Sequence, residues 1–398
     1  ALVETQHPSV ELTTHILFHC NQFLPSYKVP KEICFTESLP LNSSNKVDLL
    51  KVREYCNSAI GAKSARPKNL EELLLLKEYS LKFSEKEKLL LSIMKGQLQL
   101  VSRNRFLKNF FEKQGVNISH VRALKDVPFV PVQMFKYFDL STCPKEEIVR
   151  VVESSGTTTN IPSRVPLNKT TAMNQVRALA HTLSSYLGKE RKPFLVIDHL
   201  GINAPNQEVT ARTAGVRGLS MFAKEMIFLL KEENGEMMLD RRALELAQEK
   251  YKNEDVYIFG FTYIIWSIFY RDILQEGLRL RVHSGKLFHS GGWKKLEQQK
   301  VSKEIFAQVM DDVFGIGTEN VHDFYGMAEQ GGVIFLDCES GNKHVPNCAA
   351  VLIRNLQTLQ PCAIKRSGLI EVMSVLADSY YAQAVLTEDV GYLVGIDD

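Results

Sequence analysis

The sequence predicts an α/β fold built around a substantially parallel sheet. Short apolar runs alternate along the chain with longer segments in which apolar residues recur every three or four positions. Strands separated by helices are typical of parallel sheets, because the helix carries the chain back across the sheet. The predicted strands are Ile148–Val152, Phe194–Ile197, Val256–Phe259, Lys286–His289, Val333–Leu336 and Leu369–Met373. The predicted helices are Ala172–Tyr186, Tyr263–Glu276 and Lys303–Phe314.

Length and composition are those of a globular protein with more than one domain. The 398 residues give two or three domains at roughly 150 residues each, and the hydrophobic and charged fractions are 44% and 24%. Lys and Arg total 48 against 46 Asp and Glu, so no basic excess points to a nucleic-acid partner. The longest apolar stretch, Val256 to Tyr270, is shorter than the ~20 residues that a membrane span needs.

Cysteine usage predicts a cytoplasmic protein. The seven cysteines are scattered without a CxxC motif, and their odd number excludes complete disulfide pairing. The first residues lack the basic start and the apolar run of a signal peptide. Because the chain begins with Ala1 instead of Met and stops at Asp398 inside an apolar–polar pattern, we expect it to be part of a longer protein.

Residues 1–60 differ in character from the rest and are expected to form a small α+β fragment. A short strand is predicted at Ile33–Phe35, followed by a turn over Leu39–Asp48 that leads into a helix. Residues 61–68 are small and polar without periodicity, which predicts a linker. The α/β domain is expected to occupy residues 69–398.

A loop rich in hydroxyl side chains follows the first predicted strand. It consists of Ser154, Ser155, Gly156, Thr157, Thr158 and Thr159. Such a loop presents backbone N–H groups and hydroxyl donors in a concave turn, which suits a triphosphate. It is not a Walker A loop, because GxxxxGK[ST] does not occur in the chain. Taken alone, a surface turn is an equally good interpretation.

Two further segments combine glycine with an aromatic or acidic side chain. Phe324–Gly332 contains Tyr325, which can stack on a base, and Glu329, which can bind a magnesium ion between phosphates. Leu386–Gly391 brings acids to a strand end, where a carboxylate can accept both hydroxyls of a ribose. Singly, each segment is more typical of a solvated turn than of a site.

Several motifs in a fixed order together carry a family resemblance. They are Pro128-Phe129-Val130-Pro131 with Phe135-Lys136, Ser154-Ser155-Gly156-Thr157-Thr158 with Pro162-Ser163, Phe259-Gly260-Phe261-Thr262, Ser290-Gly291-Gly292-Trp293-Lys294, Tyr325-Gly326-Met327-Ala328-Glu329-Gln330, His344-Val345-Pro346 and Leu386-Thr387-Glu388-Asp389-Val390-Gly391. The chain resembles the adenylate-forming superfamily of acyl-CoA synthetases, luciferases and peptide-synthetase adenylation domains. Residues 69–398 are most similar to the acyl-protein synthetase (LuxE) family of bacterial luminescence operons. The resemblance implies the layered large N-terminal domain of an adenylate-forming enzyme, whose own C-terminal lid would follow Asp398.

The resemblance also implies a role for each motif. The phosphate loop would consist of Ser154, Ser155, Gly156, Thr157 and Thr158. The wall against the adenine would consist of Ser290, Gly291, Gly292, Tyr325 and Gly326. Asp389 would hold the ribose, and Glu329 would act in catalysis by coordinating the Mg²⁺ that accompanies ATP. Two positions depart from the family pattern: Thr159 stands where a glycine is usual, and no lysine follows Pro162.

The chemistry that the resemblance implies is ATP-dependent, AMP-forming activation of a fatty or other apolar carboxylic acid. The acyl-adenylate would then be attacked by a thiol, for which a protein cysteine is the expected source. Coenzyme A and a carrier-protein phosphopantetheine are alternative acceptors. From a different class, the chain would be a non-catalytic nucleotide-binding module of an assembly-line protein. Thr159, Asn45 in place of a glycine, and the position of the expected lid beyond Asp398 favour this alternative.

The first sixty positions, residues 1–60, resemble the end of the small C-terminal subdomain of a peptide-synthetase adenylation domain. The motifs are Leu24-Pro25-Ser26-Tyr27-Lys28-Val29-Pro30, Phe35, Leu39-Pro40-Leu41 and Asn45-Lys46-Val47-Asp48. By this resemblance Lys46 would bridge the carboxylate and the phosphates during adenylation, with Asn45 in place of the usual glycine. Lys46 would serve either a large domain upstream of this chain or, as a rearranged lid, the large domain present. An exposed lysine without such a role is the remaining alternative.

Overall fold

A computed structural model of the chain divides into two compact units, Ala1–Lys68 and Asn69–Asp398. The structure describes residues 2–7, 9, 12, 15, 16, 19, 20, 29, 30, 33–42 and 46–52 of the first unit, and residues 69–154, 161–188, 190–203 and 211–397 of the second. The predicted linker, residues 61–68, lies outside the described residues. Within these described ranges, no helix is long and apolar enough to cross a membrane.

In its described part, the small unit contains a pair of short strands, a helical turn over residues 49–52, and further helical residues at Leu12, His15, Ile16, His19 and Cys20. β1 (Leu2–Glu4) pairs in parallel with β2 (Cys34–Thr36), close to the strand predicted at Ile33–Phe35. The carboxylate of Asp48 accepts hydrogen bonds from two backbone N–H groups at 3.1 and 3.2 Å. Asp48 therefore caps the helical turn over residues 49–52, as the predicted turn into a helix requires.

The large unit is built from strands and helices in alternation. Its strands are β3 (Val130–Pro131), β4 (Ile148–Glu153), β5 (Arg164–Asn168), β6 (Lys192–His199), β7 (Ala223–Glu233), β8 (Glu236–Leu239), β9 (Asp255–Phe261), β10 (Ser284–Ser290), β11 (Val321–Tyr325), β12 (Phe335–Leu336), β13 (Ala349–Arg354), β14 (Gly368–Ser374) and β15 (Val385–Gly391). Its α-helices are α1 (Leu70–Leu73), α2 (Phe83–Leu98), α3 (Arg105–Lys113), α4 (Met134–Tyr137), α5 (Lys169–Leu187), α6 (Ala211–Leu219), α7 (Arg241–Lys250), α8 (Thr262–Ile264), α9 (Arg271–Glu276) and α10 (Lys303–Phe314). A π-helical turn over Ile265–Tyr270 joins α8 to α9.

The central sheet of the large unit has the strand order β12-β11-β10-β9-β6-β7-β8. Its inner strands are parallel, whereas β12 and β8 pair antiparallel at the two edges. Helices α7 to α10 pack on one face of this sheet, and α5 and α6 pack on the other. Because both faces are covered, β6 and β9 are apolar along most of their length, and β10 is buried from Leu287 to Ser290.

A second sheet and a hairpin complete the large unit. The second sheet has the order β13-β14-β15-β3 and is antiparallel except where β15 meets β3. β4 and β5 form a separate antiparallel hairpin. Helices α2 and α3 share a hydrophobic core with the second sheet, which includes Leu90, Phe111 and Val372.

The α/β prediction is confirmed, and each predicted strand and helix is present in the structure. The strand expected at Val333–Leu336 is reduced to the two residues of β12, and the helix expected at Tyr263–Glu276 contains the π-helical turn. The parallel arrangement does not extend to β4, β12 and β14, since all three pair antiparallel. An apolar run indicates that a strand is buried, but it does not indicate whether the neighbouring strands are parallel or antiparallel to it.

Candidate functional site

The carboxyl ends of β9, β10 and β11 lie side by side at one edge of the central sheet. Ser290, the last residue of β10, is opposite Phe261 of β9 on one side and Phe324 of β11 on the other. Neighbouring carboxyl ends of parallel strands form the crevice in which open α/β sheets bind ligands. The segment Ser290-Gly291-Gly292, predicted to contact an adenine, begins in this crevice.

Gly291 turns the chain away from β10 with a backbone φ of +84°. A side chain would be strained in this conformation, and its Cβ would lie 3.2 Å from Cδ1 of Phe261. The glycine therefore allows the backbone to lie directly against the Phe261 ring. Gly291 and Gly292 are both exposed, so their peptide groups are accessible to a flat ligand.

Two predicted nucleotide-binding residues that are far apart in the sequence meet in the fold. The hydroxyl of Tyr325, at the end of β11, donates a hydrogen bond to Oδ2 of Asp389 in β15 at 2.8 Å. Burial and the charge of Asp389 raise the pKa of Tyr325, so the phenol stays protonated and remains a donor. The N–H of Asp389 donates to the Thr387 hydroxyl at 3.2 Å. Gly326 follows Tyr325 and is exposed.

Glu329 is a buried carboxylate near the base of the hydroxyl-rich loop. Its side chain is shielded from solvent, and its backbone carbonyl accepts a hydrogen bond from the Tyr380 hydroxyl at 3.0 Å. Burial raises the pKa of Glu329, while the neighbouring Ser163 hydroxyl and the positive charge of Lys136 act in the opposite direction. Glu329 therefore lies next to Ser163, the residue at which the loop ends.

The hairpin of β4 and β5 brings the two ends of the loop together. Ser154 and Ser163 form a reciprocal pair, in which the Ser163 N–H donates to Ser154 Oγ at 2.8 Å and the Ser154 N–H donates to the Ser163 carbonyl at 3.1 Å. Glu153 and Arg164, the next pair outward, are 3.5 Å apart as an ion pair. Ser154 thus closes the base of the loop. The other predicted phosphate-loop residues lie outside the described residues: Ser155, Gly156, Thr157 and Thr158.

Lys46 belongs to the small unit and is exposed there. Its N–H donates to Oδ1 of Asn42 at 3.0 Å, and its carbonyl accepts from the Asn42 N–H at 2.8 Å. An antiparallel bridge joins the flanking residues Leu41 and Val47. Lys46 is consequently held in a tight turn, and Asn45, which precedes it, lies outside the described residues.

A charged cluster beside the crevice has no counterpart among the sequence motifs. In this lysine–aspartate cluster, Lys343 Nζ lies 2.8 Å from Asp323 and 3.0 Å from Asp337, and Lys303 Nζ lies 2.7 Å from Asp337. Nδ1 of His289, in β10, is 3.8 Å from Asp323, and burial lowers the pKa of His289 to about 4. No spacing in the sequence connects these residues, because only the fold brings them together.

A cavity of about 750 Å³ opens next to the carboxyl ends of β6 and β7. Its lining includes His199, Met226, Phe228 and Glu232. Nε2 of His199 is 3.5 Å from the Glu232 carboxylate, so this histidine at a strand end has a protein partner. In the strand order, β9 separates the cavity from Ser290, and the cavity adjoins the crevice without being part of it.

Comparison with solved structures identifies the class of fold. An open conformation of 2-hydroxyisobutyryl-CoA ligase, in complex with 2-HIB-AMP and CoA, is similar with a TM-score of 0.60 and 14% identity, covering 79% of this chain and 71% of that chain. The same ligase in the thioesterification state gives a TM-score of 0.59 and 15% identity, covering 79% and 65%. The chain thus spans about two thirds of the length of these ligase chains. Its fold is that of an adenylate-forming enzyme.

The family follows from the sequence of the large unit. The family model for acyl-protein synthetase, LuxE, matches residues 69–396, and the chain belongs to this family. The search among curated proteins found no match. The predicted family is confirmed, and with it the class of AMP-forming acid–thiol ligases.

Proposed function

We propose that this chain uses ATP to convert a fatty or other apolar carboxylic acid to an acyl-adenylate and then passes the acyl group to the thiol of a protein cysteine. The observation that carries the proposal is the hydrogen bond between Tyr325 and Asp389 beside the exposed backbone of Gly291 and Gly292. In a chain of the LuxE family, this arrangement offers a flat wall for a purine and a carboxylate for a ribose at one sheet edge.

Each part of ATP has a counterpart in this proposal. The adenine lies against the adenine wall, which consists of Ser290, Gly291, Gly292, Tyr325 and Gly326. The ribose hydroxyls donate to Asp389, because a carboxylate has about four lone-pair sites and accepts from Tyr325 with only one of them. The triphosphate lies against the loop from Ser154 to Thr158, whose N–H and hydroxyl groups donate to phosphate oxygens.

Glu329 is the residue that we propose to hold Mg²⁺ together with the phosphates. A bound divalent cation offsets the cost of burying this carboxylate, whose pKa is raised by burial. Among the described residues, no group of three or more His, Cys, Asp or Glu side chains is arranged around a metal site. A single carboxylate fits Mg²⁺, which usually takes one or two protein carboxylates and keeps water and phosphate oxygens as its other ligands. When bound, the ion would neutralise charge on the phosphates.

The proposed reaction has two steps that balance without a further reactant. A carboxylate oxygen of the acid attacks the α-phosphorus of ATP, the bond from that phosphorus to the β-phosphate oxygen breaks, and pyrophosphate leaves. A thiolate then attacks the acyl carbonyl carbon, and AMP leaves with the electron pair of the broken C–O bond. Positioning and charge neutralisation supply most of the catalysis in such transfers. Lys136, whose positive charge acts on Glu329, adds to the positive potential at the loop base.

The acceptor is proposed from the family. Its description as an acyl-protein synthetase supports a protein cysteine, whereas the CoA bound to the structurally similar ligase supports coenzyme A or a carrier-protein phosphopantetheine as alternatives. A cytoplasmic location is proposed because scattered cysteines without CxxC spacing are typical of a reducing compartment.

Exchange of labelled pyrophosphate into ATP across a panel of carboxylic acids tests the first step. We expect exchange that requires Mg²⁺ and an apolar acid, and that grows with the length of the acyl chain up to a limit. Nucleotide binding without exchange for any acid would instead indicate the non-catalytic module that Thr159 and Asn45 favour. Transfer of labelled acyl groups to protein thiols, coenzyme A and a carrier protein then separates the three acceptors.

A further inference from the structure

A polar relay ties the end of β9 to the end of β10 underneath the adenine wall. Oγ1 of Thr262 lies 2.9 Å from Nδ1 of His289 and 3.2 Å from the carbonyl oxygen of Ser290. Thr262 is 4%, His289 8% and Ser290 6% exposed, so water does not compete freely for these groups. Polar atoms buried in this way need defined partners, and the relay supplies them.

The donor and acceptor roles in the relay follow from the chemistry of its members. The Ser290 carbonyl can only accept, so the single hydroxyl proton of Thr262 points to it. Both contacts are satisfied at once only if His289 carries a proton on Nδ1 and donates it to Thr262 Oγ1. The carboxylate of Asp323 does not take over this proton, because its Oδ1 is 3.8 Å from Nδ1, which is too long for a hydrogen bond.

We propose that His289 and Thr262 are positioning residues, which hold the Ser290 carbonyl and thereby the Ser290-Gly291-Gly292 backbone in the conformation that accepts the nucleotide base. This inference rests on the proposed function, since it assumes that a base lies on this backbone. Gly291 lacks a side chain that would restrict its backbone, so the Phe261 ring below it and the Thr262 hydroxyl beside it fix the turn. Without the hydroxyl, the turn would have to be ordered by the nucleotide, which weakens binding.

Substitution of Thr262→Val tests the relay, because valine keeps the shape of threonine and removes the hydroxyl. We expect the Thr262→Val variant to bind AMP and ATP about tenfold more weakly than the wild type. The two nucleotides should be affected equally, because the effect arises at the base and not at the phosphates. The KM for ATP should rise while kcat changes little, and Thr262→Ser, which retains the hydroxyl, should restore most of the affinity. Thr142→Val is the matched control, because Thr142 is also buried and donates to a backbone carbonyl, that of Asp378, at 2.8 Å.

A second pair of variants addresses His289 in case Thr262→Val fails to fold. The amide nitrogen of Asn occupies the place of Nδ1 and can donate, so His289→Asn should bind AMP more tightly than His289→Leu. If the wild-type chain binds AMP and Thr262→Val binds it no worse than Thr142→Val, the relay is overturned and the proposed function stands. Equal binding by His289→Asn and His289→Leu would overturn it in the same way. If the wild-type chain binds neither AMP nor ATP, the proposed function and the relay are both overturned.

Discussion

Asp389 is the residue on which the nucleotide assignment depends most directly. It is exposed at the end of the second sheet and already accepts one hydrogen bond, from Tyr325. A carboxylate in this position forms charge-assisted hydrogen bonds, which are roughly twice as strong as neutral ones. Its replacement should therefore affect ligand binding much more than folding.

We expect Asp389→Asn to lower kcat/KM for ATP by roughly tenfold to a hundredfold in pyrophosphate exchange, because the amide loses the charge and one acceptor oxygen. The free energy of unfolding should change by less than about 1 kcal/mol, since the residue is exposed. Glu388→Gln is the matched control, as Glu388 is the neighbouring exposed acid and accepts a hydrogen bond from Gln133. Similar losses of activity in the two variants would contradict the role of Asp389.

Lys86 shows how one buried cation makes folding depend on pH. It is nearly inaccessible in α2 and donates to the carbonyl of Val345 at 3.0 Å. Burial lowers its pKa from 10.5 to about 8. The unfolded chain therefore binds more protons than the folded chain between these two values, and the contribution of Lys86 to stability rises with pH in that window.

The comparison of wild type with Lys86→Met isolates this effect. At 1.36 kcal/mol per pKa unit, the free energy of unfolding of the wild type should gain about 3 kcal/mol relative to the variant between pH 7.5 and pH 10.5. Urea denaturation of both proteins at several pH values measures the difference. A difference that stays constant with pH would show that Lys86 has an ordinary pKa in the folded chain.

At the scale of elements, β6 and β9 could be predicted because burial on both faces makes them apolar runs. β7 and β13 were not predicted, although β7 contains an apolar run over residues 226–230 and a short turn joins it to its partner β8. The nucleotide-binding roles of Tyr325 and Asp389 were predicted from the family resemblance, whereas their hydrogen bond to each other is seen only in the fold. The lysine–aspartate cluster was not predicted, because it joins α10, β11 and the segment after β12 through contacts that no local pattern encodes.

The antiparallel pair of β13 and β14 contains an ion pair in a fully buried position. Arg354 donates through Nε to Glu371. Both side chains are buried, so solvent does not screen the pair. Arg354 also donates to the carbonyls of Lys125 at 3.1 Å and Leu359 at 3.2 Å, and it lies 5.0 Å above the Phe129 ring. Burial nevertheless raises the pKa of Glu371, so pairing does not fully offset the cost of desolvation.

We expect Glu371→Leu to lower the free energy of unfolding by about 3–5 kcal/mol, because it leaves the Arg354 charge buried and unpaired. The double variant Arg354→Met/Glu371→Leu should recover most of this loss, since it removes both charges and keeps similar volumes. Urea denaturation of the wild type, both single variants and the double variant completes the cycle. Additive losses in the double variant would mean that the two charges do not stabilise each other.

At the scale of the whole molecule, the adenine-wall residues, Asp389 and Glu329 all belong to the large unit, whereas Lys46 belongs to the small one. The match to the LuxE family begins at residue 69 and does not include Lys46. Residues 1–60 resemble the end of a peptide-synthetase adenylation subdomain. This resemblance gives Lys46 a role in a catalytic unit of the peptide-synthetase type. We therefore favour the assignment of Lys46 to a large domain other than the one present.

Substitution of Lys46→Ala distinguishes the two assignments of this lysine. If Lys46 serves another large domain, pyrophosphate exchange by this chain should stay within about twofold of wild type, because no charge near the reacting phosphates is lost. If it acts as a rearranged lid, exchange should fall by at least roughly a hundredfold. This is the usual loss of rate when one hydrogen-bond donor to the charge that develops in the transition state is removed. Lys51→Ala is the matched control, since Lys51 is another exposed lysine of the small unit and its Nζ lies 4.0 Å from Asp48. A large loss in Lys46→Ala together with normal exchange in Lys51→Ala would overturn our assignment and make the small unit part of the active enzyme.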